Sequence, residues 1–88
     1  MSLNVWKGRL MIRIPDLIAL VQKEIPDAEV NALDKTGMSD HFIIHVTSKE
    51  FVDKDVMERH RLVQSCLTAA MQDGRIHAAE IKTAVPGE

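Results

Sequence analysis

The sequence predicts one small α+β domain, in which a mixed three-stranded sheet is covered on one face by two helices. Three observations lead there. Apolar residues recur at helical spacing over residues 15–25 and again over a longer segment beginning near Val56. Between and after these segments, stretches 28–34, 41–47 and 76–84 carry strand signals, the first of them weak. The resulting order, helix, strand, strand, helix, strand, admits few arrangements. A right-handed crossover through the long helix lays the last strand parallel to one strand of the preceding hairpin.

Each element has a local reason. Pro15 suits a first helical turn, where a missing N–H is harmless, and Leu17, Ile18, Val21 and Ile25 form an apolar stripe that Pro26 stops. Ala28, Val30 and Ala32 alternate weakly, and Lys35 through Asp40 is a turn-rich loop. In the next strand Phe42, Ile44 and Val46 share the face that needs burial. His41, Ile43, His45 and Thr47 share the other. The long helix carries Val56, His60, Val63, Leu67 and Ala70 at alternating spacings of four and three, flanked by Cys66 and Met71. Asp53 or Asp55 caps its start and Gly74 stops it. Ile76 to Ala84 forms the third strand, and Pro86-Gly87 ends the order. Residues 1–13 are expected as an N-terminal extension, partly disordered, although Ile12 and Ile14 already suggest folded structure. Residues 14–86 are expected as the domain.

Composition narrows the function. The chain has 88 residues, one domain's worth, and 45% hydrophobic content supports a core. A net charge of −2 leaves no global positive field for nucleic acid, although Lys7, Arg9 and Arg13 make the leader basic. Trp6, Phe42 and Phe51 are the only aromatic residues, too few for a base-stacking platform. A single cysteine, Cys66, excludes an intramolecular disulfide and suits a reducing, cytoplasmic setting. No apolar run spans a bilayer, so no membrane partner is expected.

Phosphate-binding, nucleophile-elbow and zincin motifs are absent, and Ser39-Asp40-His41 are neighbours in sequence rather than a spatially assembled triad. The chain is therefore expected not to be an enzyme. Four histidines and Cys66 are its only imidazole and thiolate metal ligands. They lack the close pairing of a structural zinc site and cannot complete an iron–sulfur cluster alone, but one or two imidazoles can join a cluster finished by a partner. His60 lies on the apolar stripe of its helix, which makes it a structural or secondary residue. His45 sits mid-strand on the polar face, His41 opens the second strand after the loop, and His77 begins the last strand. By spacing alone each is more readily structural than ligating. Cys66 within the stripe reads as inert packing. Lys54, Arg59 and Arg61 are offset by Asp53, Asp55 and Glu58, as on a solvated helix face.

In combination, several pieces resemble the BolA-like family over about residues 14–86. They are His41-Phe42, Ser48 through Phe51, Arg59-His60-Arg61-Leu62-Val63, and Ile76-His77-Ala78 followed by Ile81-Lys82-Thr83 and a terminal proline. The resemblance implies a fold similar to class II KH domains. It also implies a non-enzymatic role in iron–sulfur cluster trafficking or iron sensing, with a [2Fe–2S] cluster shared with a monothiol glutaredoxin. The partner would supply a cysteine and bound glutathione. The family's C-terminal histidine falls on His77, and the nearest match to a second ligand, which in the family comes from the hairpin loop, is His41. The chain departs from the family pattern in three places: the loop Lys35–Asp40 has no cysteine or histidine, Asp53 replaces a frequent glycine, and Ala79 a usual leucine. The alternative is a nucleic-acid-binding transcriptional regulator using Lys54, Arg59, Arg61 and the basic leader, with DNA as partner. A third reading is an interaction module that homodimerises or docks a partner by its sheet edge or helix face.

Overall fold

The computed structural model describes residues 12–38 and 41–87. Helix α1 (Ile14–Glu24) has Pro15 in its first turn, with Asp16 near its N-terminus and Lys23 near its C-terminus, both favourable to the helix dipole. Strands β1 (Glu29–Asp34) and β2 (His41–Thr47) form an antiparallel hairpin. A single 3-10 turn (Lys49–Phe51) leads to helix α2 (Val56–Gln72), and strand β3 (Ala78–Ala84) follows. The sheet order is β1-β2-β3, with β3 parallel to β2, the mixed topology expected from the crossover.

Alternation along β2 sorts the two faces. Phe42, Ile44 and Val46 are buried against Leu17 and Val21 of α1, Ile25 just beyond it, and Val63, Cys66, Leu67 and Ala70 of α2. Val30, Ala32 and Ile81 pack against this core from the neighbouring strands. On the other face Asn31, Leu33, His45, Glu80 and Lys82 are exposed. Burying each of the larger side chains contributes on the order of 2–3 kcal/mol, so this one-sided core holds the sheet to the helices. The core also takes in Ile12, whose N–H donates to the Arg75 carbonyl at 3.0 Å. The remainder of the expected N-terminal extension, residues 1–11, lies outside the described residues.

Of the two expected caps for α2, Asp55 is the one used. Its carboxylate accepts from the Glu58 N–H at 2.8 Å, while the Glu58 carboxylate accepts from the Asp55 N–H at 3.1 Å. Two expectations are corrected. Val56 is not on the buried stripe but 74% exposed, because α2 starts beyond the core. Phe51, on the preceding 3-10 turn, is fully buried in the core. The third strand begins at Ala78 rather than Ile76, because Ile76 and His77 belong to a bend that anchors Ile76 in the core.

Candidate functional site

Parallel pairing starts β2 and β3 at the same end of the sheet. His41, the first residue of β2, is in register with Ala78, the first of β3, and His77 is the residue before it. Strand spacing and one Cα–Cα step keep the His41 and His77 backbones within about 9 Å of each other. His41 is half-buried and His77 exposed. Among the described residues neither imidazole has a hydrogen-bond or ion-pair partner.

The backbone beneath His77 is tightly fixed. At the end of α2, the Asp73 N–H donates to the Ala69 carbonyl at 3.1 Å. Gly74 turns the chain at φ +86°, a conformation that a side chain would strain. The Ile76 N–H then donates back to the Ala70 carbonyl at 3.1 Å, and the Ile76 side chain is 1% exposed. The Asp73 carboxylate receives the Arg75 backbone N–H at 3.0 Å and the Arg75 guanidinium at 2.9 Å. Those bonds, the guanidinium's first, hold the Asp73 carboxyl below its ordinary 3.8. His77 thus leaves a turn gripped from both sides.

The hairpin loop supports His41. Its carbonyl accepts the Lys35 N–H at 2.9 Å, and the Asp34 carboxylate accepts the Gly37 N–H at 3.0 Å where Gly37 has φ +80°. The Thr36 hydroxyl accepts the Met38 N–H at 3.1 Å. Ser39 and Asp40, which precede His41, lie outside the described residues.

The other imidazole and thiol groups are elsewhere. His45 is exposed at mid-strand, in register with Asn31 and Lys82, and His60 is half-buried on α2. Cys66 is buried, and its thiol donates to the Leu62 carbonyl at 3.3 Å. Burial, with a smaller push from Glu24, raises its pKa above the ordinary 9.0, so the reactive thiolate is disfavoured. No group of three or more metal-ligating side chains occurs among the described residues. The fold thus brings His41 and His77 to one end and leaves His45, His60 and Cys66 apart from them.

The basic residues are similarly uneven. The Lys54 ammonium donates to the Glu50 carbonyl at 2.9 Å, and Arg59 Nε donates to the Phe51 and Lys54 carbonyls at 3.1 and 2.9 Å. They brace the turn before α2, while Arg61 is exposed. Sequence reasoning did not single out Asp27. The buried Ser48 hydroxyl donates to its carboxylate at 2.7 Å and the Lys49 N–H donates at 2.9 Å. The same hydroxyl accepts the Glu50 N–H at 3.0 Å. These contacts, Ser48's first, lower the Asp27 pKa from 3.8. The one available signal was a serine at the N-cap of a short turn. Its acceptor, 21 residues away, leaves no local pattern.

A mixed three-stranded sheet with both helices on one face, and an exposed histidine on an anchored turn before the last strand, define a class of small α+β domains. The chain belongs to the BolA-like protein family, whose profile matches residues 17–88. It is similar in structure to BolA1 from Arabidopsis thaliana, with TM-score 0.76 and 28% identity, covering 90% of this chain and 98% of that one. The BolA domain of SufE1 from the same plant gives TM-score 0.71 and 25% identity, covering 82% and 89%. A putative bolA-like protein from Caenorhabditis elegans is 44% identical over 45 residues, which cover 51% of this chain and 41% of that protein. No described helix is long and apolar enough to cross a membrane.

Proposed function

We propose that this chain is a non-enzymatic, cytoplasmic partner protein in iron–sulfur trafficking or iron sensing, and that it holds a [2Fe–2S] cluster jointly with a monothiol glutaredoxin. The observation that carries the reading is the placement of His41 and His77 at one end of the sheet, without partners among the described residues, in a BolA-like chain. His77 is the main ligand and His41 the second. Two imidazoles suit one iron of such a cluster, as in Rieske-type ligation, and the remaining ligands must then come from elsewhere. A partner's cysteine and glutathione thiolates complete the set. When bound, the cluster supplies iron and sulfide for transfer or a redox-sensitive signal. This chain contributes imidazole nitrogens on a backbone fixed before the cluster arrives. Buried Cys66, with its raised pKa, is unsuited to compete as a ligand.

The test is co-expression with a monothiol glutaredoxin, followed by visible absorption and circular dichroism of the purified complex. His77→Ala is expected to change the cluster spectrum and shorten its lifetime, and His41→Ala to do so less. An unchanged spectrum and lifetime in His77→Ala would overturn the assignment. The nucleic-acid reading gains less from the geometry, because Lys54 and Arg59 spend donors on intrachain carbonyls. It would rest on Arg61 and the leader, and predicts strongly salt-dependent binding.

A further inference from the structure

The last strand stands at one side of the sheet. In the order β1-β2-β3, β3 pairs with β2 through all seven of its residues, and its opposite edge has no strand among the described residues. Such an edge is a template for another strand unless something guards it. Register with β2 fixes which way β3 side chains face. Ala78, Glu80, Lys82 and Ala84 share the open face with His41, Ile43, His45 and Thr47, while Ala79, Ile81 and Thr83 share the helix-covered face.

We propose that β3 is a self-docking edge, at which a second copy of this chain adds its own β3 antiparallel about a two-fold axis at Ile81. A two-fold axis perpendicular to the sheet keeps the helices of both copies on one side, which requires some residue to face its own counterpart. Only three positions near the strand centre allow long overlap. An axis at Glu80 sets two carboxylates against each other, and an axis at Lys82 sets two ammonium groups together; both are unfavourable. The axis at Ile81 places Glu80 opposite the partner's Lys82, and Lys82 opposite the partner's Glu80. It also sets Ile81 against the partner's Ile81 on the helix-covered face, Ala79 against the partner's Thr83, and Ala78 against the partner's Ala84. This register uses all seven residues of β3 and is the one in which the open-face charges alternate in sign. The other edge strand offers no equivalent, because β1 carries Glu29 and Asp34 and no cationic residue. The product is a continuous six-stranded sheet. Only the outer edge of β3 takes part, so this docking does not depend on cluster binding.

The test is sedimentation equilibrium of the full chain over a concentration series, with circular dichroism to confirm folding. Glu80 and Lys82 are both exposed, so their substitution leaves the core intact. The unsubstituted chain is expected to dimerise. Glu80→Lys alone and Lys82→Glu alone are each expected to raise the dimer dissociation constant about tenfold or more, because two attractive cross-strand pairs become repulsive. An equimolar mixture of the two variants is expected to form a heterodimer, and the double swap E80K/K82E to dimerise again. A chain that stays monomeric throughout, single swaps that leave the dimer unchanged, or a mixture that fails to associate would each overturn the proposal.

Discussion

The two ends of the sheet handle their polar groups in opposite ways. Where β2 finishes, the Ser48 hydroxyl, the Asp27 carboxylate, the Asp55–Glu58 capping box, the Lys54 ammonium and the Arg59 guanidinium all close onto the chain itself. Where β2 and β3 begin, the backbone is equally well anchored by Gly74, Ile76 and the Asp73–Arg75 pair. The His41 and His77 imidazoles there nevertheless lack partners among the described residues. A polar group that bonds within the chain mainly supports the fold. A polar side chain that makes no bond within the described chain adds little to the fold. One end secures the structure, and the other is where the two proposed ligands stand.

The closed end is most vulnerable at Phe51. This side chain is fully buried at the closed end, and Phe51→Ala removes it from a core that a small domain cannot spare. The expected loss is about 3–5 kcal/mol, read as a large drop in urea midpoint or outright failure to fold. Ser48→Ala comes next, at about 1–2 kcal/mol, because it deletes both a turn cap and a hydrogen bond to a carboxylate. A loss near zero would mean that the closed end is not held as described.

Acid should address the same contact. The Asp27 pKa is lowered in the folded chain, so its contribution is fully present above the ordinary 3.8 and is lost as pH falls through the folded value. Asp27→Asn should therefore flatten the decline in urea midpoint below that pH. Parallel curves for the two proteins would show that Asp27 does not carry the linkage. Cys66 belongs with the internally engaged groups as well. Burial raises its pKa, so alkylation of the native protein should be much slower than that of the urea-unfolded chain. Equal rates would place the thiol outside the core.

Local patterns reveal much of the fold and only part of the site. The bounds of β2, an aspartate cap at position 53 or 55 and the Gly74 stop follow from alternation and end chemistry within a few residues. Handedness dictated that β3 would run parallel to a hairpin strand, but its register did not follow. Register is what sets His41 beside Ala78 and hence near His77. The Ser48–Asp27 bond was hidden for the same reason, since it joins segments that only tertiary packing brings together. Val56 misled because helical spacing identifies a stripe without saying where along the helix the core begins. The 3-10 turn that carries Phe51 into the core had too few residues to show a period.

The smallest stability effect is the most informative for function. His77 is exposed and its imidazole makes no bond to the described chain, so His77→Ala should shift unfolding by no more than about 0.5 kcal/mol. Its turn stays anchored by backbone bonds that do not involve the side chain. If the open end presents ligands, the same substitution should still strip or alter the cluster spectrum of the glutaredoxin complex. Ser48→Ala is the reciprocal control, expected to lower the urea midpoint while leaving the spectrum of the folded complex unchanged. A His77→Ala protein with normal stability and an altered cluster separates the two ends experimentally. Lost stability together with a normal cluster would reverse their roles.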